Sequence, residues 1–458
     1  MSTKKRIIKT GIAAIIQKIV KIAEQLLLIP FFIKFWGASY YGEWLTLTII
    51  PSFLALSDFG FGSATANTFL LKFASGEEEE AANVAKTGYR ILSLLIVSAI
   101  LLSIIIILIL NYFKLFNSSS ITSKEAMIAI VFLLGSKIIN FYQQLFEAYF
   151  RAARRANLSI NFQTLISVIN IIAGIVVLLN GGKIVSYALT AFIISLILNP
   201  LYILSAKKVL GLHKKHKGVF VKKEVRTLIH KGFGYFLAPI WQAIYFQGSS
   251  FIVRLVLGPV AVTIFNTVRT IIRSSSQAFS MLVIAVYPDF QFEIGAGNKL
   301  KAKKIFSDLL GLNISIAILS MSFLALFGRD LYSVWTHKAL HVSLDMWIIF
   351  VSSIILYALW FTFSFIFEAL NKPYSYTLPS LIFSILAVFI CWYFCKYLGL
   401  VGASIGNFSF DFLMCIYLIP KAAKLLGIPL KDIFLDSLKA LRSIFSLQSR
   451  SYFITKGR

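Results

Sequence analysis

The chain has 458 residues, of which 58% are hydrophobic and 14% charged, with a mean hydropathy of +0.81. Soluble domains carry about 25% charged residues, so this composition excludes an ordinary soluble enzyme, a disordered tail and a fibrous repeat. The formal net charge is +26, from 45 Lys and Arg against 19 Asp and Glu. In so apolar a chain that excess reads as orientation charge on loops and attraction to anionic lipid, not as nucleic-acid binding.

Lys4, Lys5 and Arg6 precede an apolar run that passes Lys18, Lys21 and Glu24 and reaches Phe35. No small-residue cleavage pattern follows, so the run reads as an uncleaved first span and not a signal peptide. Twelve spans of about 20 residues are expected. They lie near 10–34, 43–68, 88–112, 125–149, 159–179, 184–206, 232–253, 259–287, 305–327, 345–368, 376–396 and 400–421. Pro30, Pro51, Pro200 and Pro239 are candidate bends, because proline removes a backbone donor. The acidic run at 77–80 reads as a solvated helix start that suits the helix dipole.

The loop between spans six and seven is the most basic, with nine Lys and Arg between Lys207 and Lys231. His213 and His216 sit there without Cys or carboxylate partners at metal-ligand spacing. Cys391, Cys395 and Cys415 lie in apolar runs and read as packing residues. After Pro429, residues 430–445 alternate apolar and charged side chains and read as an amphipathic helix on the membrane surface.

With this layout 32 of the 45 basic residues fall on the side of the N-terminus, 8 on the other side and 5 within spans. That bias predicts an even number of spans with both termini in the cytoplasm. The halves also align without gaps at an offset of 221. Gly11 meets Gly232, Gly37 meets Gly258 and Gly76 meets Gly297, while Phe146-Glu147-Ala148 meets Phe367-Glu368-Ala369. After the triplet the register slips by a few residues. The reading is an all-α integral membrane protein of about twelve transmembrane helices, in two parallel six-helix lobes around a central cavity. Its divisions are a lobe at 1–206, a basic linker at 207–231, a second lobe at 232–428 and a tail at 429–458.

A charge at mid-bilayer costs roughly 2.5–3.5 kcal/mol on insertion scales, so each one needs a reason. Span one carries Lys18, Lys21 and Glu24 on one stripe, with Lys21 and Glu24 spaced to pair. Span eight carries Asn266, Arg269, Arg273 and Gln277 at steps of three and four. Two arginines four apart repel unless an anion accompanies them, and their forks match phosphate oxygens. Lys18, Lys21, Arg269 and Arg273 are therefore candidate substrate contacts. Glu24 and Asp58 are candidate counter-ions or coupling groups. Lys137, Glu147, Glu368 and Asp411 are candidate gate or structural polar residues, with Glu147 placed to meet Arg151. The sequence holds no P-loop, HExxH or GxSxG motif. The expectation is a transporter with no cofactor and no metal, driven by a proton or sodium gradient or by the membrane potential.

The stretch Phe35-Trp36-Gly37-Ala38-Ser39-Tyr40-Tyr41-Gly42-Glu43-Trp44, followed by Ser57-Asp58-Phe59-Gly60-Phe61-Gly62 and by Phe150-Arg151-Ala152-Ala153-Arg154-Arg155-Ala156-Asn157, resembles the Wzx-type O-antigen and polysaccharide repeat-unit flippases. These belong to the multidrug/oligosaccharidyl-lipid/polysaccharide exporter superfamily, and the resemblance reaches to about residue 428. It implies a cavity lined by spans one, two, seven and eight. It implies a flippase that moves undecaprenyl-diphosphate-linked oligosaccharide to the periplasmic leaflet of a bacterial inner membrane, by alternating access, for O-antigen or other surface polysaccharide. Implied partners are that glycan, membrane lipid, and polysaccharide polymerase and chain-length proteins. The alternative within the superfamily is a multidrug–cation antiporter, whose cavity should be acidic or aromatic. A lipid II flippase would have fourteen spans, and a membrane glycosyltransferase would need a larger outer loop.

Overall fold

A computed structural model describes residues 3–112, 120–295, 298–370, 372, 374–427, 429, 431, 432 and 435–437. Among these residues there are helices and connecting turns, and no strand. The chain divides into two compact units. The N-terminal unit takes Met1–Ala243 and Gly258–Thr263, and the C-terminal unit takes Ile244–Leu257 and Ile264–Arg458.

The N-terminal unit contains α1 (Thr3–Leu54), α2 (Phe61–Ala74), α3 (Glu78–Tyr112), α4 (Ser123–Ile139), α5 (Gln143–Ala152), α6 (Ala156–Leu179), α7 (Ile184–Leu210), α8 (Leu212–Lys215) and α9 (Lys222–Ala243). Helix α1 packs on α4 and α6, and α4 packs on α7. Helix α2 packs on α3, α5 and α9. In the C-terminal unit a single π turn, Ile244–Gly248, leads into α10 (Ser249–Leu257). Helix α11 (Pro259–Ser274) begins in the N-terminal unit and continues in this one. It is followed by α12 (Ser276–Gly295), α13 (Lys299–Leu326), α14 (Gly328–Trp335), α15 (Leu344–Ala369) and α16 (Tyr374–Leu426). Helix α15 packs on α13, α12 and α16.

Among the described residues, seven helical stretches are long and apolar enough to cross a membrane. They are Glu78–Ile109, Ser123–Ala152, Ala156–Leu179, Ile184–Leu210, Lys299–Leu326, Leu344–Ala369 and Tyr374–Leu426. The last breaks at Gly399, so its two arms take expected spans eleven and twelve. Expected spans one, two, seven and eight fall on kinked or interrupted helices: α1 with α2, α9 with α10, and α11 with α12.

Within the two longest helices the non-helical backbone is at glycines, Gly37 in α1 and Gly399 in α16. Helices run through Pro30 and Pro51 in α1, Pro200 in α7 and Pro239 in α9. Non-helical backbone in α1 is at Gly37, with φ 71° and ψ 170°. Proline keeps a helical φ, losing a donor and crowding the carbonyl one turn back, whereas a left-handed φ is open chiefly to glycine. Gly258, the repeat partner of Gly37, has φ 87°. This pair of repeat glycines thus takes a positive φ at both places. In the matched triplets Phe146, Phe367, Ala148 and Ala369 are all buried.

The two arms of α16 meet through small residues. A Cβ on Gly406 would stand 2.5 Å from the Cys391 Cβ and 2.7 Å from its backbone nitrogen. Cys391 and Cys395 are buried free thiols, as a packing role requires. Gly406→Ala is expected to cost about 1–3 kcal/mol through overpacking. Thermal unfolding of the purified protein checks this, and an unchanged midpoint would refute the close approach.

At the start of α3, Lys72 reaches Glu77 at 2.6 Å and Glu80 at 2.5 Å. Lys72 and the Ser75 hydroxyl hold the Glu77 carboxyl below the usual carboxylate range. Of the expected surface helix at 430–445, only residues 431, 432 and 435–437 are described. There Asp436 pairs with Lys303 at 2.8 Å. The rest of that helix and of the tail at 429–458 lies outside the described residues.

Candidate functional site

In the N-terminal unit α1, α4, α6 and α7 turn polar residues toward one cavity of about 250 Å³. Helix α1 gives Lys21, and α4 with the turn after it gives Ser136, Lys137 and Asn140. Helix α6 gives Gln163, Ser167 and Asn170, whose spacing of four and three residues places them on one face. Helix α7 gives Ser195 and Asn199, and α5 gives Gln143. Only Ile166 and Ala191 of the lining are apolar.

The wall is built by hydrogen bonds between these helices. The Ser136 and Ser195 hydroxyls lie 2.8 Å apart. The Asn199 amide donates to Asn140 Oδ1. The Asn140 amide donates to the Ser136 carbonyl at 2.9 Å. Lys21 and Lys137 are both exposed to the opening. Glu24 lies in the field of both lysines, yet no carboxylate among the described residues comes within 4 Å of either. The expected Lys21–Glu24 pair is therefore not formed. A phosphate-sized anion in this cavity would meet two ammonium groups, and sugar hydroxyls would meet amides that both donate and accept.

Other expected residues of this unit have local tasks. Lys18 is half-buried on α1, beside Gln17, whose amide donates to Gln163 Oε1 at 3.0 Å. Asp58 Oδ1 accepts from the Gly60 backbone N–H at 3.0 Å, inside a turn where Phe59 and Gly60 both have positive φ. That bond makes Asp58 the brace of the Ser57–Gly62 motif. Trp36 and Tyr40 of the first motif hold the turn after α6: Trp36 Nε1 donates to the Gly182 carbonyl at 2.9 Å, and the Ile184 N–H donates to the Tyr40 hydroxyl at 3.3 Å. Glu147 pairs with Arg151 at 3.3 Å on a partly exposed face, where such pairs contribute little.

In the C-terminal unit α11 carries both arginines into the interior. Arg269 is 7% exposed. Its guanidinium donates to Ser249 Oγ at 2.9 Å, Ser250 Oγ at 3.0 Å, the Phe246 carbonyl at 3.1 Å and Asn266 Oδ1. The Phe246 and Phe265 rings lie 5.2 and 4.9 Å from it. The π turn has its own hydrogen-bond phase, so a carbonyl there is open to a side-chain donor, and Arg269 supplies it. Arg273 pairs with Asp411 of α16 at 2.6 Å and donates to the Tyr245 hydroxyl at 2.9 Å. Its guanidinium stacks 4.4 Å from the Tyr357 ring. Asp411 is fully buried and also accepts from Trp360 Nε1 at 2.9 Å.

The spacing argument for an anion beside Arg269 and Arg273 thus has an answer inside the unit. Asp411, 138 residues from Arg273, is that anion. One positive charge remains in excess in this cluster, since Arg269 is met by neutral acceptors among the described residues. Glu368 accepts from the Tyr376 hydroxyl at 2.7 Å. The structure places the arginines in one unit, and Lys18, Lys21, Glu24 and Lys137 in the other. Sequence reasoning missed Gln163, Ser167, Asn170, Ser195 and Asn199. Their spacing on one face of each helix was the available signal.

The model for a family described as polysaccharide biosynthesis protein matches residues 12–291. No curated protein sequence matches significantly. Among solved structures, the fold is similar to an inward-facing multidrug resistance MATE family transporter of the MOP superfamily. That match has TM-score 0.74 and 16% identity, over 93% of this chain and 99% of that one. It is also similar to the lipid II flippase MurJ in an inward closed conformation, with TM-score 0.69 and 18% identity, over 96% of this chain and 92% of that one. A third match is a MOP superfamily transporter from Pyrococcus furiosus, described by the reverse polarity of its binding pocket. It has TM-score 0.59 and 16% identity, over 93% and 96% of the two chains. These likenesses show that the chain shares the all-α fold of those membrane proteins.

Proposed function

From the premise that this chain belongs to the polysaccharide biosynthesis protein family, we propose that it is a flippase for undecaprenyl-diphosphate-linked oligosaccharide, working by alternating access. The observation that carries the reading is the cavity of the N-terminal unit, with two lysines, five amides and no lining carboxylate. Lysine ammonium groups suit the diphosphate, amides suit the sugar hydroxyls, and the polyprenyl chain stays in lipid. Lys21 and Lys137 are the principal headgroup contacts, with Lys18 beside them. In the C-terminal unit Arg269, met by neutral acceptors among the described residues, keeps a positive charge for the anionic headgroup. Glu24 tunes the two lysines or carries a coupling proton.

The direction is from the cytoplasmic to the periplasmic leaflet of a bacterial inner membrane, with both termini and the basic loops in the cytoplasm. The product serves O-antigen or another surface polysaccharide, alongside polymerase and chain-length proteins. The cycle draws on a proton or sodium gradient or on the membrane potential. The cation-antiporter alternative suits this site poorly, because a cationic drug would face like charge in the cavity.

Cells lacking the gene test the reading. Mass spectrometry of their lipid extracts is expected to show undecaprenyl-diphosphate oligosaccharide accumulating, with the intact gene reversing the accumulation. Intact surface glycan with no accumulation would sink the proposal and turn attention to drug efflux.

A further inference from the structure

A second cavity, of about 290 Å³, opens in the N-terminal unit where the chain after α7 folds back on α3 and α5. Its floor is apolar, formed by Ala82 and Ala85 of α3, Leu145 and Phe146 of α5, and Leu212. Its rim carries Lys86, Lys207 and Lys217 with His213 and His216, and no carboxylate lines it. At the edge, Glu78 meets Lys215 at 3.5 Å and His216 at 3.6 Å. Among the described residues no acidic side chain pairs with Lys86, Lys207 or Lys217.

The segment that brings these groups together is a fixed strap. Gly211, with φ 70°, ends α7 and turns the chain into α8. Gly218, with φ 64°, passes the Ala82 carbonyl so closely that a Cβ would stand 2.3 Å from the oxygen. The Val219 N–H then donates to Asn83 Oδ1 at 2.7 Å, and the Val221 N–H to Thr87 Oγ1 at 3.0 Å. Arg90 lies 5.3 Å from the Phe220 ring. Folded backbone on both sides thus holds three ammonium groups around one opening. Like charges gathered this way repel, and the arrangement is relieved when an anion enters.

We propose that this cavity binds a phosphate-bearing anion, as a site distinct from the cavity between α1, α4, α6 and α7. Compact, strongly charged lysines match phosphate oxygens, and the apolar floor takes the carbon part of a headgroup. The volume is at the small end of ligand pockets, about 300–1,000 Å³, which suits a headgroup or a free phosphate and excludes a polymer. Occupancy would fasten the segment between α7 and α9 to α3. The proposal goes beyond the transport reading and stands whether or not the chain moves glycolipid.

The test uses the full-length protein in phosphatidylcholine nanodiscs. Pyrophosphate binding is followed by calorimetry, and phosphatidylglycerol, added to the discs, by native mass spectrometry. Lys86→Gln/Lys217→Gln removes two exposed rim charges, and Lys222→Gln/Lys223→Gln removes two from the same segment outside the cavity. The rim pair is expected to weaken binding about tenfold, with the control pair close to wild type. Saturable phosphatidylglycerol binding alone makes the ligand a lipid headgroup, and saturable pyrophosphate binding makes it a soluble phosphate. Saturable binding of neither probe overturns the proposal. Equal losses in the two variants also overturn it, since they would show only diffuse charge.

Discussion

Replacing Asp411 with alanine is expected to destabilise the protein by about 3–5 kcal/mol. Asp411 is fully buried and is the ion-pair partner of Arg273 at 2.6 Å. Its loss leaves a guanidinium in the interior without a counter-charge and leaves the Trp360 N–H without its acceptor. The cost comes from the orphaned charge, so removing the charge as well should recover most of it. Arg273→Met/Asp411→Ala is therefore expected to unfold much closer to wild type than Asp411→Ala alone. Thermal unfolding in detergent separates the three proteins. A single variant as stable as wild type, or a double variant worse than the single, would remove the pair from the architecture of the C-terminal unit.

The second large effect belongs to the N-terminal cavity. Charge-assisted hydrogen bonds contribute about 1.5–3 kcal/mol each, so losing one lysine should slow export by about ten- to a hundredfold where the diphosphate depends on it. Lys21→Gln and Lys137→Gln are each expected to act in that range, and the double variant to abolish export. Both side chains open to the cavity instead of packing, and removing a charge eases membrane insertion. The amount of protein in the membrane should hold while surface glycan falls. Wild-type export by the double variant would remove both lysines from the substrate path.

The sequence made the helical membrane class legible, because long apolar runs and a low charge count leave few other folds. It also showed where charge enters the apolar runs, since Lys21, Lys137, Arg269 and Arg273 stand out at once. What it hid were contacts between distant segments. Nothing local tells that Asp411 answers Arg273, or that the segment after α7 is bonded to Asn83 and Thr87. The breaks inside α1 and α16 went unread for a related reason. Proline is the conspicuous breaker in a sequence, whereas the combinations φ 71° with ψ 170° at position 37 and φ 58° with ψ −134° at position 399 are open essentially to glycine alone. The amides of α6 and α7 went unremarked because a single Asn or Gln in a span reads as helix-to-helix bonding. Their significance comes from facing Lys21 and Lys137 across one cavity.

The most direct measurement is leaflet transfer by the purified protein alone. Proteoliposomes would carry undecaprenyl-diphosphate-linked oligosaccharide, an ion gradient and a membrane potential, and a membrane-impermeant lectin would report the glycan in the outer leaflet. The account predicts that protein and gradient together speed the arrival of glycan at the lectin, and that Lys21→Gln/Lys137→Gln returns the rate to that of protein-free vesicles. A wild-type rate equal to that of protein-free vesicles, with a cationic dye transported by the same preparation, would contradict it.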